Sequence, residues 1–364
     1  MTGTPTVTRP TPFHVRTAER NRDNVWRARN GFTLPAHYGD ARAEALAVRF
    51  SAIAADVSHR AWLRFTGARA GPLCARAFGQ AVAAIEPGAS RTVLWRADGG
   101  GVRGTGTLAR LATGDFVLLS YVCDHAWFED AAARFGVRLF EETGEAGLLA
   151  LAGPFAAAIL EVGGLAEAAT LEPGRHRAFV WRGLDVTVSR WGVLGGYEIG
   201  CAADDAVIVF DRVMSAGAGM GLALAGEDAF ATILMETGVA VPCADWAPAR
   251  DPFATGPAPE TLGLAELAGT AHATPPLVLA GIVLDSEEPA PRAAILKGSE
   301  IVGATLGSLY SPALKRAIAL AQIAPAHAGA GTAIAARHAG DGAMTIEGTV
   351  VDLPFLPIPD QIRP

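Results

Sequence analysis

Cysteine is scarce in this chain, and its spacing excludes two classes of small domain. The 364 residues contain four cysteines, which are Cys74, Cys123, Cys201 and Cys243. They lie far apart and form no Cys-x-x-Cys pair, which argues against a zinc ribbon and against a disulfide scaffold. Cys123 is followed by Asp124 and His125, but neighbours along a chain do not converge on one ion. We therefore expect no metal site.

Charged residues and long apolar runs are also few. Only 18% of the residues are charged and the formal net charge is −7, so we expect no nucleic-acid partner. The most apolar stretch, at 147–164, is broken by glycine and proline and includes Glu161, which argues against a membrane-spanning helix. The polar opening MTGTPTVTRPTPF lacks the apolar segment of a signal peptide. We expect a cytoplasmic protein with no membrane partner.

Hydrophobic residues make up 50% of the chain, which is enough for sizeable cores, and the length predicts two or three domains. Periodicity predicts helices at 40–54, 68–83 and 124–135, and strands at 61–66, 91–98 and 105–121. The glycines at 99–101 join two strands rather than a strand and a helix, so they do not form a dinucleotide-binding motif. This order of helices and antiparallel hairpins predicts an α+β fold.

The last third of the chain has a different pattern. A proline-rich segment at 244–263 predicts a linker or domain edge. After it, residues 277–288, 300–314 and 332–352 have the pattern of strands and turns. We predict that this part of the chain forms a small β-barrel or sandwich.

Several short motifs occur in a specific order along nearly the whole chain. They are TPF at 11–13, LPAHYGD at 34–40, ADVSHRAWLRFTG at 55–67, DGGGV at 98–102, LALAGPFA at 149–156, GGYEIG at 195–200, VLDSEEPAPR at 283–292, VGATLGSLYSPALKRAIALAQI at 302–323 and VVDLPFLP at 350–357. Each motif is short, but their order and spacing together are specific. On these motifs the chain, from Thr11 to Pro357, resembles the glycine cleavage system T protein and its folate-dependent relatives.

The resemblance implies a fold. It is an α+β fold of three domains, arranged as a cloverleaf around a central folate channel, with a β-barrel as the C-terminal domain. We place the first α+β domain at residues 1–45 and 140–245, and the second at 46–139. Residues 246–364 then form the linker and the C-terminal β-barrel domain.

The resemblance also implies tetrahydrofolate as the cofactor. In this family the glutamate of a GYEI motif binds the pterin ring, and that residue is Glu198 here. Its carboxylate matches the N–H donors at the edge of the ring. Tyr197 and Trp191 would flank the ring, and we assign Val102 and Ser120 to the same cofactor site. Taken alone, Glu198 fits an exposed carboxylate at a strand end better than a pterin ligand, and Trp191 fits a core side chain equally well.

Three positions depart from the family pattern. Glycine cleavage T proteins carry an important aspartate after their paired glycines, whereas this chain has Gly104 there and no carboxylate beside it. Gly200 replaces a tyrosine that is common in the demethylases of this fold, and Leu234 replaces an arginine. The stretch VSRWGVLGGYEIG is also closer to those demethylases than to the glycine cleavage pattern.

These departures direct the functional prediction. We predict a tetrahydrofolate-dependent methyltransferase or demethylase that moves a methyl group from an O-, S- or N-methylated small molecule, such as a methoxybenzoate, to folate N5. The alternatives are an aminomethyltransferase of glycine cleavage, a diverged biosynthetic enzyme that uses the folate channel, and a non-catalytic folate-binding protein. The missing aspartate argues against a lipoyl carrier protein as partner. Ser299 stands where the iron–sulfur maturation relatives have cysteine, which argues against that role.

Three side chains are candidates for the donor side of the site. His59 and Arg103 lie in turns that face the channel in this fold, and together they suit a carboxylate or phenolate on the donor. Tyr38 can give a proton to a leaving oxygen. A structural His59 and a solvated Arg103 are the alternatives for these two residues. Arg60, next to His59, stands where the family usually has methionine.

Overall fold

The structure of the protein is a computed structural model, and it describes residues 8–96, 102–191, 196–239, 277–338, 344–357 and 359. The predicted linker at 244–263 and the glycines at 99–101 lie outside the described residues, as do the side chains of Val102 and Trp191. The helices are α1 (His14–Arg20), α2 (Ala41–Phe50), α3 (Ala70–Phe78), α4 (His125–Phe135), α5 (Ala156–Gly163), α6 (Ala166–Ala169), α7 (Ala206–Gly217) and α8 (Glu227–Glu236). None of these helices is long and apolar enough to cross a membrane.

The strands are β1 (Arg9–Pro10), β2 (Trp26–Arg29), β3 (Phe32–Pro35), β4 (Ala52–Asp56), β5 (Ala61–Thr66), β6 (Ala89–Arg96), β7 (Val102–Ala112), β8 (Asp115–Ser120), β9 (Arg138–Glu141), β10 (Ala146–Ala152), β11 (His176–Trp181), β12 (Leu184–Trp191), β13 (Gly196–Ala202), β14 (Leu222–Leu224), β15 (Val278–Leu284), β16 (Ala294–Lys297), β17 (Glu300–Ser311), β18 (Arg316–Ile323), β19 (Ala333–Arg337) and β20 (Thr345–Val351). They form four sheets. A small sheet has the order β1-β3-β2, and a six-stranded sheet has the order β11-β12-β13-β10-β4-β14. A five-stranded sheet has the order β6-β7-β8-β5-β9, and β15-β18-β17-β16-β19-β20 close into a barrel.

Local chemistry explains why two elements have different bounds in the structure from those predicted. Helix α2 begins after Asp40, whose carboxylate accepts hydrogen bonds from the N–H groups of Arg42 and Ala43. The helix predicted at 40–54 stops at Phe50, because residues 52–56 form β4, a central strand buried on both faces, whose apolar run does not alternate. The strand predicted at 105–121 is a hairpin of β7 and β8, and Gly114 takes the left-handed conformation (φ 71°) in its turn.

The six-stranded sheet has an apolar core on each face. On one face, Leu149 of β10 and Ile199 of β13 pack with α5 and α7. On the other face, Ala150 of β10 packs in a cluster that also contains Val117 and Leu119 of β8. The six-stranded and five-stranded sheets therefore approach each other across this second face. The predicted α+β fold with a C-terminal barrel is confirmed, because helices and four sheets are present and the last sheet closes on itself.

A buried polar link joins the barrel to the helices. Arg49 of α2 donates to the Glu236 carboxylate at the end of α8, and Ser311 of the barrel donates to its other oxygen. The chain after the barrel returns to the same place, where the N–H of Leu356 donates to the Glu236 carbonyl and Arg49 donates to the Pro357 carbonyl, each at 2.9 Å. The predicted domain boundary at residue 45 falls inside α2 and stays a prediction.

Candidate functional site

Strand alternation decides which way the GYEI motif points. In β13 the side chains of Tyr197 and Ile199 enter the core formed with α5 and α7. Glu198 lies on the opposite face, where the five-stranded sheet approaches, and only 3% of it is exposed. The Glu198 carboxylate is therefore held between the two sheets rather than at a solvent-exposed strand end.

The partner of Glu198 comes from the turn in which the chain passes from the six-stranded to the five-stranded sheet. This crossing turn (residues 57–60) joins β4 to β5, and it is closed by a hydrogen bond from the Arg60 N–H to the Val57 carbonyl at 3.2 Å. Arg60 is also 3% exposed, and its Nη1 donates to Oε1 of Glu198. Burial opposes the charge of Arg60, but the nearby Glu198 carboxylate holds the pKa of the guanidinium above its ordinary value.

Buried polar atoms around this ion pair lack partners. Among the described residues, no hydrogen-bond partner is present for Nδ1 of His59, the hydroxyl of Tyr121 or Nε1 of Trp62. The Tyr121 ring lies 5.1 Å from the Arg60 guanidinium and 5.7 Å from the His59 ring. Buried polar groups are normally paired, so unpaired atoms at one place mark a position that a water molecule or a polar ligand would fill.

The backbone of this region is held by Asn30. Its side-chain amide donates to the His59 carbonyl at 3.1 Å and to the Tyr121 carbonyl at 3.0 Å. The two segments that carry the unpaired atoms of His59 and Tyr121 are therefore fixed to each other. No local pattern predicts this contact, because Asn30 lies in a turn of the small sheet, far from both segments along the chain.

His59 is 2% exposed and lies close to Asp56 at the end of β4. The Asp56 carboxylate accepts hydrogen bonds from the Thr11 hydroxyl at 2.6 Å and the Ser58 N–H at 3.0 Å. Burial lowers the pKa of His59 and raises that of Asp56 from their ordinary values. The imidazole of His59 is therefore neutral at pH 7 and can accept a proton.

Tyr38 lies near the same carboxylate. Burial raises the pKa of its phenol well above the ordinary value, and the charges of Asp56 and Glu44 act in the same direction. The backbone at this position is fixed, because the Tyr38 N–H donates to the Glu44 carboxylate at 2.6 Å. Tyr38 therefore keeps its proton at neutral pH, as a proton donor must. The structure brings His59 and Tyr38 together around Asp56.

Arg103 has a different environment. Its Nε and Nη2 both donate to the Asp124 carboxylate at 2.6 Å, and Nε1 of Trp95 donates to the same group at 2.8 Å. Burial alone would raise the pKa of Asp124, but these donors lower it below its ordinary value. Arg103 can bind a carboxylate of the one-carbon donor with these two nitrogen atoms only if it first releases Asp124. Its role on the donor side stays a prediction.

The structure separates the predicted cofactor residues from one another. Tyr197 is 1% exposed and donates its hydroxyl to the Ala169 carbonyl at 2.8 Å, so it cannot flank a ring that Glu198 contacts across the strand. Ser120 donates to the Thr105 carbonyl and accepts from the Val122 N–H, which gives its hydroxyl a structural task in the turn after β8. The predictions for Val102 and Trp191 concern side chains outside the described residues.

Two of the three departures from the family pattern have structural explanations. A Cβ atom at Gly104 would lie 2.4 Å from a ring carbon of Trp95, so no aspartate fits at that position. A Cβ atom at Gly200 would lie 3.7 Å from the Trp62 ring, an ordinary contact, so nothing in the structure explains the glycine there. Leu234 is 2% exposed and belongs to the core between the sheets. None of these three positions supplies a polar group.

A cavity of about 350 Å³ lies beside Gly200 on the Trp62 side of the sheet. It is lined by Trp62, Ala146, Ala178, Phe179, Val180, Asp185, Val186, Thr187, Gly200, Cys201 and Ala202. Gly200 and Glu198 are two residues apart on one strand and share a face. Glu198 itself does not line this cavity. Among the described residues, no three His, Cys, Asp or Glu side chains are grouped closely enough to hold a metal ion.

Two family models match this chain. The GCVT N-terminal domain matches residues 16–258, and the glycine cleavage T-protein C-terminal barrel domain matches residues 278–356. The chain therefore belongs to the glycine cleavage T-protein family, and the predicted family is confirmed. Aminomethyltransferases of this family use tetrahydrofolate as the acceptor of the one-carbon unit.

Individual relatives agree with this assignment. The aminomethyltransferase of Streptomyces coelicolor is 28% identical over 327 residues, which cover 83% of this chain and 86% of that protein. The aminomethyltransferase of Cutibacterium acnes is 28% identical over 355 residues, or 89% of this chain and 92% of that protein. The crystal structure of glycine cleavage system aminomethyltransferase T from Bartonella henselae has the same fold, with a TM-score of 0.81 at 20% identity over 97% of this chain and 99% of that one.

Sequence reasoning missed Trp62, Tyr121 and Asp56 as members of the site. Trp62 and Tyr121 fall in the strands predicted at 61–66 and 105–121, and nothing local distinguishes them from core aromatic residues. Alternation did carry a usable signal, since β5 has buried residues at 61, 63 and 65 and therefore turns Trp62 to the other face. Asp56 ends a fully buried strand, where an acidic residue needs a specific partner.

Proposed function

We propose that this chain transfers a one-carbon unit to tetrahydrofolate and takes that carbon from a nitrogen atom of its donor. The supporting observation is the buried Glu198 carboxylate beside polar atoms that have no partner among the described residues. A polar ring bound at this point would pair with them. The name aminomethyltransferase, which the relatives carry, favours a nitrogen-linked carbon over the predicted methyl group on oxygen or sulfur.

The residues between the sheets fit a pterin. Glu198 can accept hydrogen bonds from ring N–H groups, and Trp62 and Tyr121 offer aromatic surface together with one donor atom each. Tetrahydrofolate, when bound, supplies the nitrogen that accepts the carbon. The chain's own part is to hold the two reactants in contact and to exclude water, which converts the transfer into an effectively intramolecular step.

Proton movement is assigned to two side chains. His59 is neutral at pH 7 and can accept a proton, and Tyr38 is protonated and can donate one to the leaving atom of the donor. Both lie near the Asp56 carboxylate, whose charge favours the protonated forms of both side chains. Arg103 is the third residue on the donor side, and it must release Asp124 before it can bind the donor.

A second candidate function is the predicted transfer of a methyl group from oxygen or sulfur. The observation that favours it is the Trp95 ring beside Gly104, which leaves no room for the aspartate of the aminomethyltransferases. A methyl group attacked in line needs no carboxylate to assist an amine. In both candidates we propose a small-molecule donor, and a lipoyl carrier protein is the competing partner.

The two candidates differ in their donors. We expect the two nitrogen-linked donors to give product with tetrahydrofolate, measured by mass spectrometry and a coupled ammonia assay. An aminomethyl-loaded carrier gives methylene-tetrahydrofolate, ammonia and the free carrier thiol, whereas an N-methyl donor gives methyl-tetrahydrofolate and the demethylated amine. The donors are an aminomethyl-loaded lipoyl carrier protein, an N-methyl amino acid, a methoxybenzoate and a dimethylsulfonio acid, each tested separately. Methyl-tetrahydrofolate from either of the last two would overturn the first candidate in favour of the second. Product from the loaded carrier alone would identify the carrier as the partner.

The pH dependence of stability tests the state of His59. Its folded pKa lies below the unfolded value, so the unfolded chain binds more protons as pH falls through the ordinary histidine range, and stability decreases there. We expect His59→Asn to lose this decrease in urea unfolding measured from pH 7.5 to 5. The groups that face His59 are Asp56, Glu227, Arg60 and Arg29.

The difference between the wild-type and variant curves isolates His59 from its neighbours. Asp56 changes the free energy of unfolding in the opposite direction as the pH falls. Its pKa is raised in the folded state, so the folded chain binds this proton at a higher pH than the unfolded chain does. Since Asp56 is present in both proteins, its contribution largely cancels. His125→Asn, at a partly exposed histidine, is the matched control and should leave the curve unchanged. Parallel curves for wild type and His59→Asn would contradict a neutral, buried His59.

A further inference from the structure

The Arg60–Glu198 pair changes what the buried carboxylate offers to a ligand. A lone carboxylate accepts two hydrogen bonds and suits a ring edge with two adjacent N–H donors. Here Nη1 of Arg60 already donates to Oε1 of Glu198, and both residues are 3% exposed. The pair is electrically neutral, and it places a donor group and an acceptor group side by side between the two sheets.

The guanidinium is also held in one orientation. Its carbon lies 5.1 Å from the centre of the Tyr121 ring, and the Tyr121 carbonyl is fixed through Asn30 to the crossing turn that carries Arg60. An arginine between a carboxylate and an aromatic ring presents its N–H groups in a rigid plane. A buried ion pair gives little net stability compared with apolar residues of the same volume, so specificity is the better explanation of this one.

Ring chemistry identifies the matching ligand edge. An N–H group next to a carbonyl oxygen, as in a lactam, offers one donor and one acceptor in the same plane. Glu198 can accept from the N–H while Arg60 donates to the oxygen, and both hydrogen bonds are charge-assisted. If the ring edge carries an amino group in place of the oxygen, its N–H groups face those of Arg60. Neither group can accept a hydrogen bond, so one buried polar group stays unpaired.

We infer that Arg60 and Glu198 together recognise the lactam edge of the bound ring, and that Arg60 is the residue that selects a 4-oxo pteridine over a 4-amino pteridine. This inference rests on the proposed function, because it takes the pterin of tetrahydrofolate as the ligand. It assigns Arg60 a specificity role that the methionine usual at this position cannot perform, since a thioether has no N–H to donate.

The test compares two ligands that differ at one ring position. Tetrahydrofolate carries oxygen at position 4, and tetrahydroaminopterin carries an amino group there. Anaerobic calorimetry on the wild-type chain should give at least about tenfold tighter binding of the oxo ligand, because a site built to pair a polar group rejects the analogue that lacks it. Equal affinities for the two ligands would overturn the inference with no variant needed.

Variants then assign the preference to Arg60. Arg60→Gln keeps an uncharged NH2 donor group beside Glu198, and we expect it to lower the oxo preference several-fold. Arg60→Met should reduce the preference to within about threefold. Arg64→Met is the matched control, because Arg64 lies four residues further on, is paired with Asp115 and is 37% exposed. Circular dichroism confirms that each variant is folded before it is compared.

The outcomes separate the inference from the proposed function. A wild-type chain that binds neither ligand overturns both, because the ring is then not a pteridine. A wild-type chain that binds both ligands equally leaves the proposed function intact and overturns the role of Arg60. An unchanged preference in folded Arg60→Gln and Arg60→Met also overturns that role. A preference that falls in both variants and not in Arg64→Met supports it.

Discussion

Replacing Glu198 with alanine is expected to lower the free energy of unfolding by about 3–5 kcal/mol, because Arg60 then stays buried without its carboxylate. Both residues are 3% exposed, so neither side chain can turn to water without moving the strands or the crossing turn. Urea unfolding at pH 7 measures the loss. The variant should also bind tetrahydrofolate at least about tenfold more weakly, since a hydrogen bond to a charged group contributes about 1.5–3 kcal/mol.

The double variant Arg60→Met/Glu198→Leu distinguishes lost charge pairing from lost packing. Removing both charges leaves no unpaired ion, so we expect stability to return to within about 1 kcal/mol of wild type while folate binding stays lost. Arg134→Ala, in an exposed pair with Asp130, is the control and should leave the unfolding curve unchanged. If Glu198→Ala alone unfolds at the wild-type urea concentration, the ion pair is not buried as described.

Adding even one carbon atom to the side chain at position 104 should destabilise the protein. In Gly104→Ala the new Cβ would lie 2.4 Å from the ring of Trp95, which is fully buried and packs against Phe78 and Phe128. The ring has no space to move, so we expect a loss of about 3 kcal/mol in urea unfolding, at the upper end for overpacked cores. The aspartate of related enzymes should cost more, because it adds a buried charge.

Two further variants make this expectation specific. Gly219→Ala places its Cβ where nothing lies within 4 Å, and its stability should change by no more than about 0.5 kcal/mol. In a Trp95→Phe background the clashing ring atoms are gone, so adding Gly104→Ala should cost much less than in the wild type. Equal costs in the two backgrounds would show that Trp95 is not the obstacle.

Much of the fold could be predicted from sequence because its causes are local. Alternating apolar residues mark β5, and the repeated strands and turns after residue 277 mark the barrel. Errors occurred where tertiary context decides. The helix predicted at 40–54 takes in residues 52–54, because a central strand buried on both faces has no alternation to distinguish it.

The site was only partly predictable for the same reason. Glu198 was found through the GYEI motif, and the neighbouring position could have been excluded, since alternation sends Tyr197 to the other face of β13. The pairing of Glu198 with Arg60 joins residues 138 apart in sequence, and no local pattern encodes it. The clash at Gly104 depends on the strand register, which pairs Gly104 with Trp95. A bulge in the hairpin shifts this register, so the pairing cannot be found by counting residues from the turn.

The return of the chain to Arg49 has a consequence for biosynthesis. The Arg49 side chain and the Pro357 carbonyl that it contacts are 308 residues apart. A ribosome adds about 5–20 residues per second, so Pro357 is made roughly 15–60 s after Arg49 of helix α2. Until Ser311 and Pro357 have been made, neither the barrel nor the segment after it can contact Arg49 or Glu236. The polar link between helices α2 and α8 and the barrel therefore forms late in synthesis, after most of the chain that it holds together.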